Sequence, residues 1–208
     1  MHAVQVREDV ALVPGFLNHD ECAELIAVMR ETPREQALVV RAGESILDPS
    51  LRNCFDHHCP DEVSRRIGRR LLTSFGLVAE RLGTDADALY GPYFMSYEQG
   101  SFFRCHRDVA NHRDDPARLA SHRWSMIVYL NGRSERAGLP IFDGGSLIIY
   151  TRSGDPRHRR TIVIPEPGLL VLFHSYLLHE VAMITEGVRY AIAGWMARPG
   201  DAIMREAV

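Results

Sequence analysis

Two spacings of apolar positions divide the chain near residue 90. Before it, apolar side chains recur at three and four residues: Ala23, Leu25, Ile26 and Met29 in one stretch, and Val63, Ile67, Leu71, Phe75, Val78 and Leu82 in another. That period places one stripe on one face of a helix, so it predicts helices from Asn18 to about Glu31 and from about Pro60 to Leu82. Asn18 suits an N-cap and Pro33 a stop. Pro60 suits a first turn, Asp61 and Glu62 the positive end of the helix dipole, and Gly83 a C-terminal cap. Residues 8–13 read as a short strand ended by Pro14-Gly15.

After residue 90 the apolar runs shorten and are broken by Gly, Pro and Asp. Strands are predicted at 92–98, 102–108, 122–130, 145–151, 160–164, 169–173, 178–183 and 188–197. Many short strands joined by turns make a sandwich or barrel, and the two preceding helices are expected to buttress one of its sheets. The fold class is therefore mainly β with flanking helices. No linker, repeat or low-complexity stretch splits the chain, so residues 1–208 read as one domain, with a helical support region at 1–89 and the barrel core at 90–197.

Composition narrows the function classes. The 24 basic residues against 27 acidic ones leave a net charge of -3, which gives no general attraction for nucleic acid. No apolar run reaches the roughly twenty residues of a membrane span, and no leader pattern stands at the N-terminus, so a cytoplasmic location is expected. The four cysteines, at 22, 54, 59 and 105, have no zinc-ligand spacing. Arg65, Arg66, Arg69 and Arg70 could be read as a phosphate site, but on the second helix they fall opposite the apolar stripe and read as its solvated face.

The candidate chemistry begins at Tyr97–Asp108, YEQGSFFRCHRD. On a strand, His106 and Asp108 lie two apart and aim an imidazole and a carboxylate at one point. A second His from elsewhere would complete the two-His, one-carboxylate facial set that holds Fe(II) with positions left open. A His-x-Asp arises by chance about once in a chain of this composition, and the sequence has a second, His112-Arg113-Asp114. The apolar Phe94, Phe102 and Phe103 lead into the first, whereas the second sits in a polar, proline-containing run, so His106 and Asp108 are preferred. Cys105 would face away from His106 on a strand and reads as a structural thiol. Two further His stand at 174 and 179, and Arg189 is an isolated cation in an apolar strand. A solvated face, a protein carboxylate or an anionic ligand would each account for that Arg.

The combination of His106-x-Asp108, His179 and Arg189 ten positions later resembles the Fe(II)/2-oxoglutarate-dependent dioxygenases, in particular their prolyl 4-hydroxylase-like branch. Tyr97-x-x-Gly100-x-Phe102-Phe103, the run from Arg123 to Tyr129-Leu130-Asn131, Phe142-x-Gly144-Gly145-x-Leu147 and Pro167-Gly168 leading to Phe173 fit the same branch. The resemblance covers residues 93–197 and implies a double-stranded β-helix, the cupin-like jelly-roll barrel. It also implies His106, Asp108 and His179 as metal ligands, Arg189 as the partner of the distal carboxylate of 2-oxoglutarate, and Tyr129 and Tyr97 as residues lining the cosubstrate pocket. His174 is set aside because only His179 lies at the family's distance from Arg189.

This chain departs from the family at Ser146, where a Glu commonly follows the Gly-Gly pair. It keeps a carboxylate at Asp108, which implies hydroxylation rather than halogenation, and Trp195 stands where base demethylases carry a second Arg. The resemblance therefore implies Fe(II)-dependent hydroxylation of an unactivated C–H of an amino acid, free or peptidyl and prolyl-type, in which 2-oxoglutarate and O2 are consumed, succinate and CO2 are released, the second oxygen atom enters the substrate, and ascorbate serves as a reductant. The alternatives are a tailoring hydroxylase of small molecules and a non-catalytic sensor of metal or 2-oxoglutarate. An amino-acid, peptide or small-molecule substrate is expected as partner, with no nucleic acid and no membrane, and the loops at 33–59, 109–121 and 131–143 are expected to set its identity. The loop from Val109 to Ser121, directly after Asp108, is expected to cover the metal.

Overall fold

The computed structural model describes residues 4–7, 9–133, 138–151 and 159–198. Helix α1, His19–Glu31, begins on a reciprocal cap: the Asn18 side chain accepts from the Glu21 N–H at 2.9 Å, and the Glu21 carboxylate accepts from the Asn18 N–H at 2.7 Å. Helix α2, Asp61–Leu82, ends on Gly83 at φ 60°, a left-handed cap that glycine adopts without steric cost. Its stripe of Val63, Ile67, Leu71, Phe75 and Val78 is buried. Two of the α2 arginines do more than face solvent: Arg66 pairs with Glu24 at 2.7 Å and Arg70 pairs with Glu21, tying α2 to α1.

Behind the helices lies an eight-stranded sheet whose centre is formed by Leu170–His174, His122–Tyr129, Arg189–Ala197 and Ala88–Tyr97, hydrogen-bonded in that order. Its central strands are apolar on both faces because both are covered. Trp124, Met126, Val128, Leu170, Leu172 and Ile192 meet the helices, while Tyr129, Val171 and Phe173 pack with Leu147, Ile149 and Val163 of a second, five-stranded sheet. That second sheet runs Arg159–Val163, Leu147–Thr151, Leu178–Val181, Phe102–His106 and Arg52–Asn53. Two facing sheets with helices outside one of them make the double-stranded β-helix, and the site lies between the sheets.

The structure differs from the sequence reading in the support region. Residues 33–57 are not plain connection: Arg34–Gln36 pairs with Phe55–His57, which joins Ala88–Tyr97 in the large sheet, and Arg52–Asn53 joins Phe102–His106 in the small one. Val39–Arg41 and Glu44–Ile46 form a separate hairpin. These strands are two or three residues long and rich in charge, so they carry no alternation that the sequence could display. The strands Gln5–Arg7 and Val10–Val13, which extend the large sheet beyond Leu170–His174, a short helix α3, Ala117–Ser121, and the strand Ile184–Gly187, paired with Phe142–Gly144, complete the described elements.

The helix layer gives a direct test of this packing. Phe75, 1% exposed, lies in the core between α2 and the sheet, so Phe75→Ala is expected to cost about 3–5 kcal/mol in urea unfolding. Arg66→Ala, at an exposed ion pair, is expected to cost less than about 1 kcal/mol. Equal losses for the two variants would contradict the assignment of α2's two faces.

Candidate metal centre

Antiparallel pairing brings the distant His residues together: His179 on Leu178–Val181 is the cross-strand partner of His106 on Phe102–His106. Asp108 comes in between them. Its Oδ1 lies 3.4 Å from His106 Nε2 and its Oδ2 lies 3.3 Å from His179 Nε2, and one ligand atom from each of the three residues falls within 4.8 Å of the others. Among the described residues this is the one group of three or more metal-ligating side chains so arranged.

Each imidazole is oriented by its other nitrogen. His106 Nδ1 lies 2.8 Å from the Arg104 carbonyl and His179 Nδ1 lies 3.0 Å from the Leu177 carbonyl. A carbonyl only accepts, so both Nδ1 atoms carry the proton and a neutral ring leaves Nε2 as a bare lone pair facing the centre. Burial would push the Asp108 carboxyl up, but the neighbouring imidazoles, His179 foremost, outweigh it and hold the group well below the usual carboxylate range. Burial, reinforced by His179, keeps His106 below the usual imidazole value. Burial alone would also lower His179, yet the Asp108 charge raises it. An ionised carboxylate beside two inward lone pairs is a donor set suited to a divalent ion, and two His with one carboxylate on one face is the Fe(II) arrangement.

The reason Asp108 sits there differs from the strand alternation read in the sequence. The strand ends at His106, and Asp108 lies beyond it. Its position is set instead by contacts to two other strands. Its N–H donates to the Ser175 carbonyl at 3.0 Å, and its carbonyl accepts from His122 Nδ1 at 2.8 Å. Ser125 Oγ donates to its Oδ2 at 2.6 Å. Having given up its one proton, Ser125 accepts from Ser175 Oγ at 3.0 Å. Sequence reasoning passed over Ser125, Ser175 and His122. Only Ser125 had a readable signal, as a polar residue sharing strand parity with Tyr129.

Arg189 is 1% exposed, and its three guanidinium nitrogens have no hydrogen-bond partner among the described residues. It stands opposite Tyr97 across the paired strands, and its guanidinium carbon lies 4.8 Å from the Tyr97 ring centre and 5.0 Å from that of Tyr129. The Tyr129 hydroxyl is likewise buried, with no hydrogen-bond partner of normal length among the described residues. Aromatic faces stabilise a cation by only about 2 kcal/mol even when desolvated. A buried guanidinium needs an anion, and a carboxylate matches its fork.

Other candidates fall elsewhere. His112 and Asp114 pair with each other at 3.2 Å on an exposed loop. His174 lies against Trp124 and 4.0 Å from Asp9, away from the triad. Cys105 is a free thiol, exposed rather than packed in the core. A cleft of about 400 Å³ opens beside His106 and Asp108. It is walled by the hairpin around Val39 and Ser45, by the segment Val109–Leu119, and by Tyr90, Tyr93 and Trp195. Two of the three loops expected to face a substrate therefore line it. Residues 131–133 and 138–143 do not, and 134–137 lie outside the described residues.

If Ser125 orients the carboxylate as these distances indicate, a divalent ion titrated into Ser125→Ala binds roughly ten- to a hundredfold more weakly than into the parent. Unchanged affinity would show that the contacts from the Asp108 backbone suffice.

Comparison with known proteins accords with this geometry. Residues 92–197, just over half of the 208, match the family described as the 2OG-Fe(II) oxygenase superfamily. A PKHD-type hydroxylase of Alteromonas mediterranea is 24% identical over 199 residues, covering 94% of this chain and 81% of the relative. A PKHD-type hydroxylase of Shewanella frigidimarina is 30% identical over 109 residues, covering 52% of this chain and 43% of the relative. Among solved structures, a Pseudomonas putida prolyl-4-hydroxylase superposes with TM-score 0.62 at 21% identity, over 92% of this chain and 94% of its own. A Trichoplax adhaerens prolyl hydroxylase, solved with a peptide fragment of the hypoxia inducible factor oxygen degradation domain, superposes with TM-score 0.72 at 16% identity, over 93% of this chain and 85% of its own. These likenesses show the double-stranded β-helix fold. With residues 92–197 matched by the family and a PKHD-type hydroxylase similar over nearly the whole chain, the chain belongs to the 2OG-Fe(II) oxygenase superfamily and is an iron- and 2-oxoglutarate-dependent dioxygenase.

Proposed function

We propose that this dioxygenase hydroxylates an unactivated C–H of an amino-acid residue carried in a peptide, prolyl in type, with release of succinate and CO2. In this reading His106, Asp108 and His179 hold Fe(II), Arg189 grips the distal carboxylate of 2-oxoglutarate, and the Tyr129 hydroxyl donates to the same group while Tyr97 walls the pocket. The observation that carries the reading is Arg189, a fully buried cation without an anionic partner among the described residues, in the same barrel as a two-His, one-carboxylate cluster. A peptidyl substrate is supported by the open cleft over His106 and Asp108 and by the peptide seen with the Trichoplax neighbour.

Bound Fe(II) and 2-oxoglutarate supply the oxidising chemistry, coupling oxidative decarboxylation by O2 to hydroxylation of the substrate. The chain's own residues bind, orient and exclude water. The Arg104 and Leu177 carbonyls fix the tautomers of the two imidazoles, so the ligand lone pairs are preset before any ion arrives. Arg189 and Tyr129 fix the far end of the cosubstrate, which sets the position of its reacting end. No residue is required as a general acid or base.

Arg189→Met is expected to weaken 2-oxoglutarate binding by roughly thirtyfold or more, since losing one partner of a buried charged pair costs about 2–5 kcal/mol. Arg189→Lys should recover part of that loss, keeping the charge without the fork. The check is a paired calorimetric titration of Fe(II) and 2-oxoglutarate on folded, anaerobic protein, in which iron affinity stays at the parent's value. Parent-like 2-oxoglutarate binding by folded Arg189→Met would sink the cosubstrate assignment.

The cleft wall yields a second test. The Asp115 carboxylate accepts from the Asn111 and His112 N–H groups at 2.8 Å each and from the Gly43 N–H at 3.3 Å, joining the loop after Asp108 to the tip of the 39–46 hairpin. Asp115→Ala is expected to raise KM for the peptide substrate by about three- to tenfold, the worth of one or two such bonds, with metal affinity unchanged. A parent-like KM would reduce loop and hairpin to surface connections.

A further inference from the structure

The five-stranded sheet ends on Arg159–Val163, which among the described residues pairs only with Leu147–Thr151 and leaves its other edge open. A hydrogen bond two strands away tells which backbone groups face that edge. The Ala182 N–H donates to the Ser146 carbonyl at 3.0 Å, so the even-numbered residues that follow on Leu147–Thr151 turn their backbone groups towards Leu178–Val181. The odd-numbered ones then turn towards Arg159–Val163, where Leu147 meets Val163 and Ile149 meets Thr161. Val163 and Thr161 are thereby satisfied, and the N–H and C=O groups of Arg160 and Ile162 point out along the open edge.

The side chains alternate in step. Arg160, Ile162, Ile164 and Glu166 are exposed, whereas Val163 and Pro165 between them are buried. Ile162 is 57% and Ile164 65% exposed, and Ile148, the cross-strand partner of Ile162, widens the apolar row. An open apolar edge is a template for another strand. Pro165 does not spoil it, because its missing N–H falls at the parity of Val163, which faces the neighbouring strand.

The strand that fits this edge is a second copy of itself. Antiparallel pairing must set even residues against even ones, so the two-fold registers can be compared one by one. An axis at Arg160 opposes like charges, and an axis at Thr161, Ile162 or Ile164 sets Arg160 or Glu166 against an isoleucine. With the axis at Val163, Ile162 of one copy lies opposite Ile164 of the other and Arg160 lies opposite Glu166, each pair occurring twice. Apolar and opposite-charge cross-strand pairs both stabilise a sheet, and like charges destabilise it. Arg160 therefore acts as the selector of one register. We propose that the chain self-associates as a two-fold dimer by antiparallel pairing of the segment 160–166 with the same segment of a second copy, centred on Val163, which joins the two five-stranded sheets into one. Such an edge buries less than the roughly 1,000 Å² of a stable interface, so the dimer exchanges with monomer. The exposed row lies on the face of the sheet opposite to buried His179, so the metal centre stays free of the contact.

Sedimentation velocity on the full chain, from micromolar to near-millimolar concentration, reads the assembly directly. The parent is expected to pass from monomer to dimer over that range, and Ile162→Lys to remain monomeric. Glu166→Arg sets Arg against Arg at both ends and should weaken association by roughly tenfold or more. Combining it with Arg160→Glu restores both opposite-charge pairs and should recover the dimer. These positions are exposed, so the variants keep the fold, and Fe(II) affinity at the parent's value is the control for it. The register is read by disulfide formation in a Cys105→Ser background, which removes an exposed native thiol. Directly opposed residues with Cα atoms about 5.5 Å apart are within disulfide reach, so Ile162→Cys mixed with Ile164→Cys should cross-link faster than either alone. A parent that stays monomeric at the highest concentration overturns the proposal. So does a dimer that Ile162→Lys and Glu166→Arg leave intact, or an Ile162→Cys protein that cross-links faster to itself than to Ile164→Cys.

Discussion

The carboxylate of Asp108 is the constraint on which the site depends, because it must stay ionised and fixed in a place where burial favours neither. The two neighbouring imidazoles, His179 foremost, hold the carboxyl well below its usual range, and three contacts from two segments supply the fixing: the Ser175 carbonyl, the His122 ring and the Ser125 hydroxyl. Each of these comes from a strand, or the turn after one, that is itself locked into the large sheet. The serines contribute one proton to the carboxylate and pass the remaining hydrogen bond between themselves. Asp108 is thereby held by the barrel rather than by its own strand, which has already ended.

The large sheet makes this possible by being covered twice. Helices α1 and α2 bury one face of its central strands, so the other can be given to chemistry without exposing the core. Along Arg189–Ala197, Ile192 points to the helices and Ala193 to the barrel interior, and Arg189 shares the interior parity with Ala191 and Ala193. Small residues at those positions leave room beside the guanidinium. Gly145 contributes in the same way: a Cβ there would stand 3.3 Å from Arg189 Cδ and would collide with Ile184, so the Gly-Gly turn is a clearance requirement as well as a conformational one. Ser146, where the family commonly has a Glu, takes a 2.8 Å bond from Arg133 and lies next to this turn.

Covering elements meet over the open side. The tip of the hairpin reaches the loop after Asp108 through Gly43, whose backbone is at φ 87° and where a side chain would strike the Asp114 carbonyl. The close approach of two backbones and the left-handed conformation both demand glycine at that point. The triad of His106, Asp108 and His179, the loop that follows Asp108 and the hairpin are thus connected around the cleft.

Much of this was legible in the residues. The helix periods, the capping residues and the succession of short strands determine a helix-buttressed β barrel, because amphipathic spacing and turn chemistry are local properties. The spaced His106, Asp108, His179 and Arg189 determined a resemblance, because backbone register in a barrel fixes such intervals. What stayed hidden depends on distance in sequence. The charged two- and three-residue strands at 34–57 exist only because sheet edges recruit them. The His106–Asp108 alignment looked like strand alternation and is instead a product of Ser125, Ser175 and His122, residues 14 to 67 positions away from Asp108. Arg189 in the sequence was compatible with solvent, a protein carboxylate or a ligand; tertiary structure takes it out of solvent and leaves its guanidinium nitrogens without a hydrogen-bond partner among the described residues. Spacing along a chain can say which residues share a face, but whether a charge is paired depends on every element packed around it.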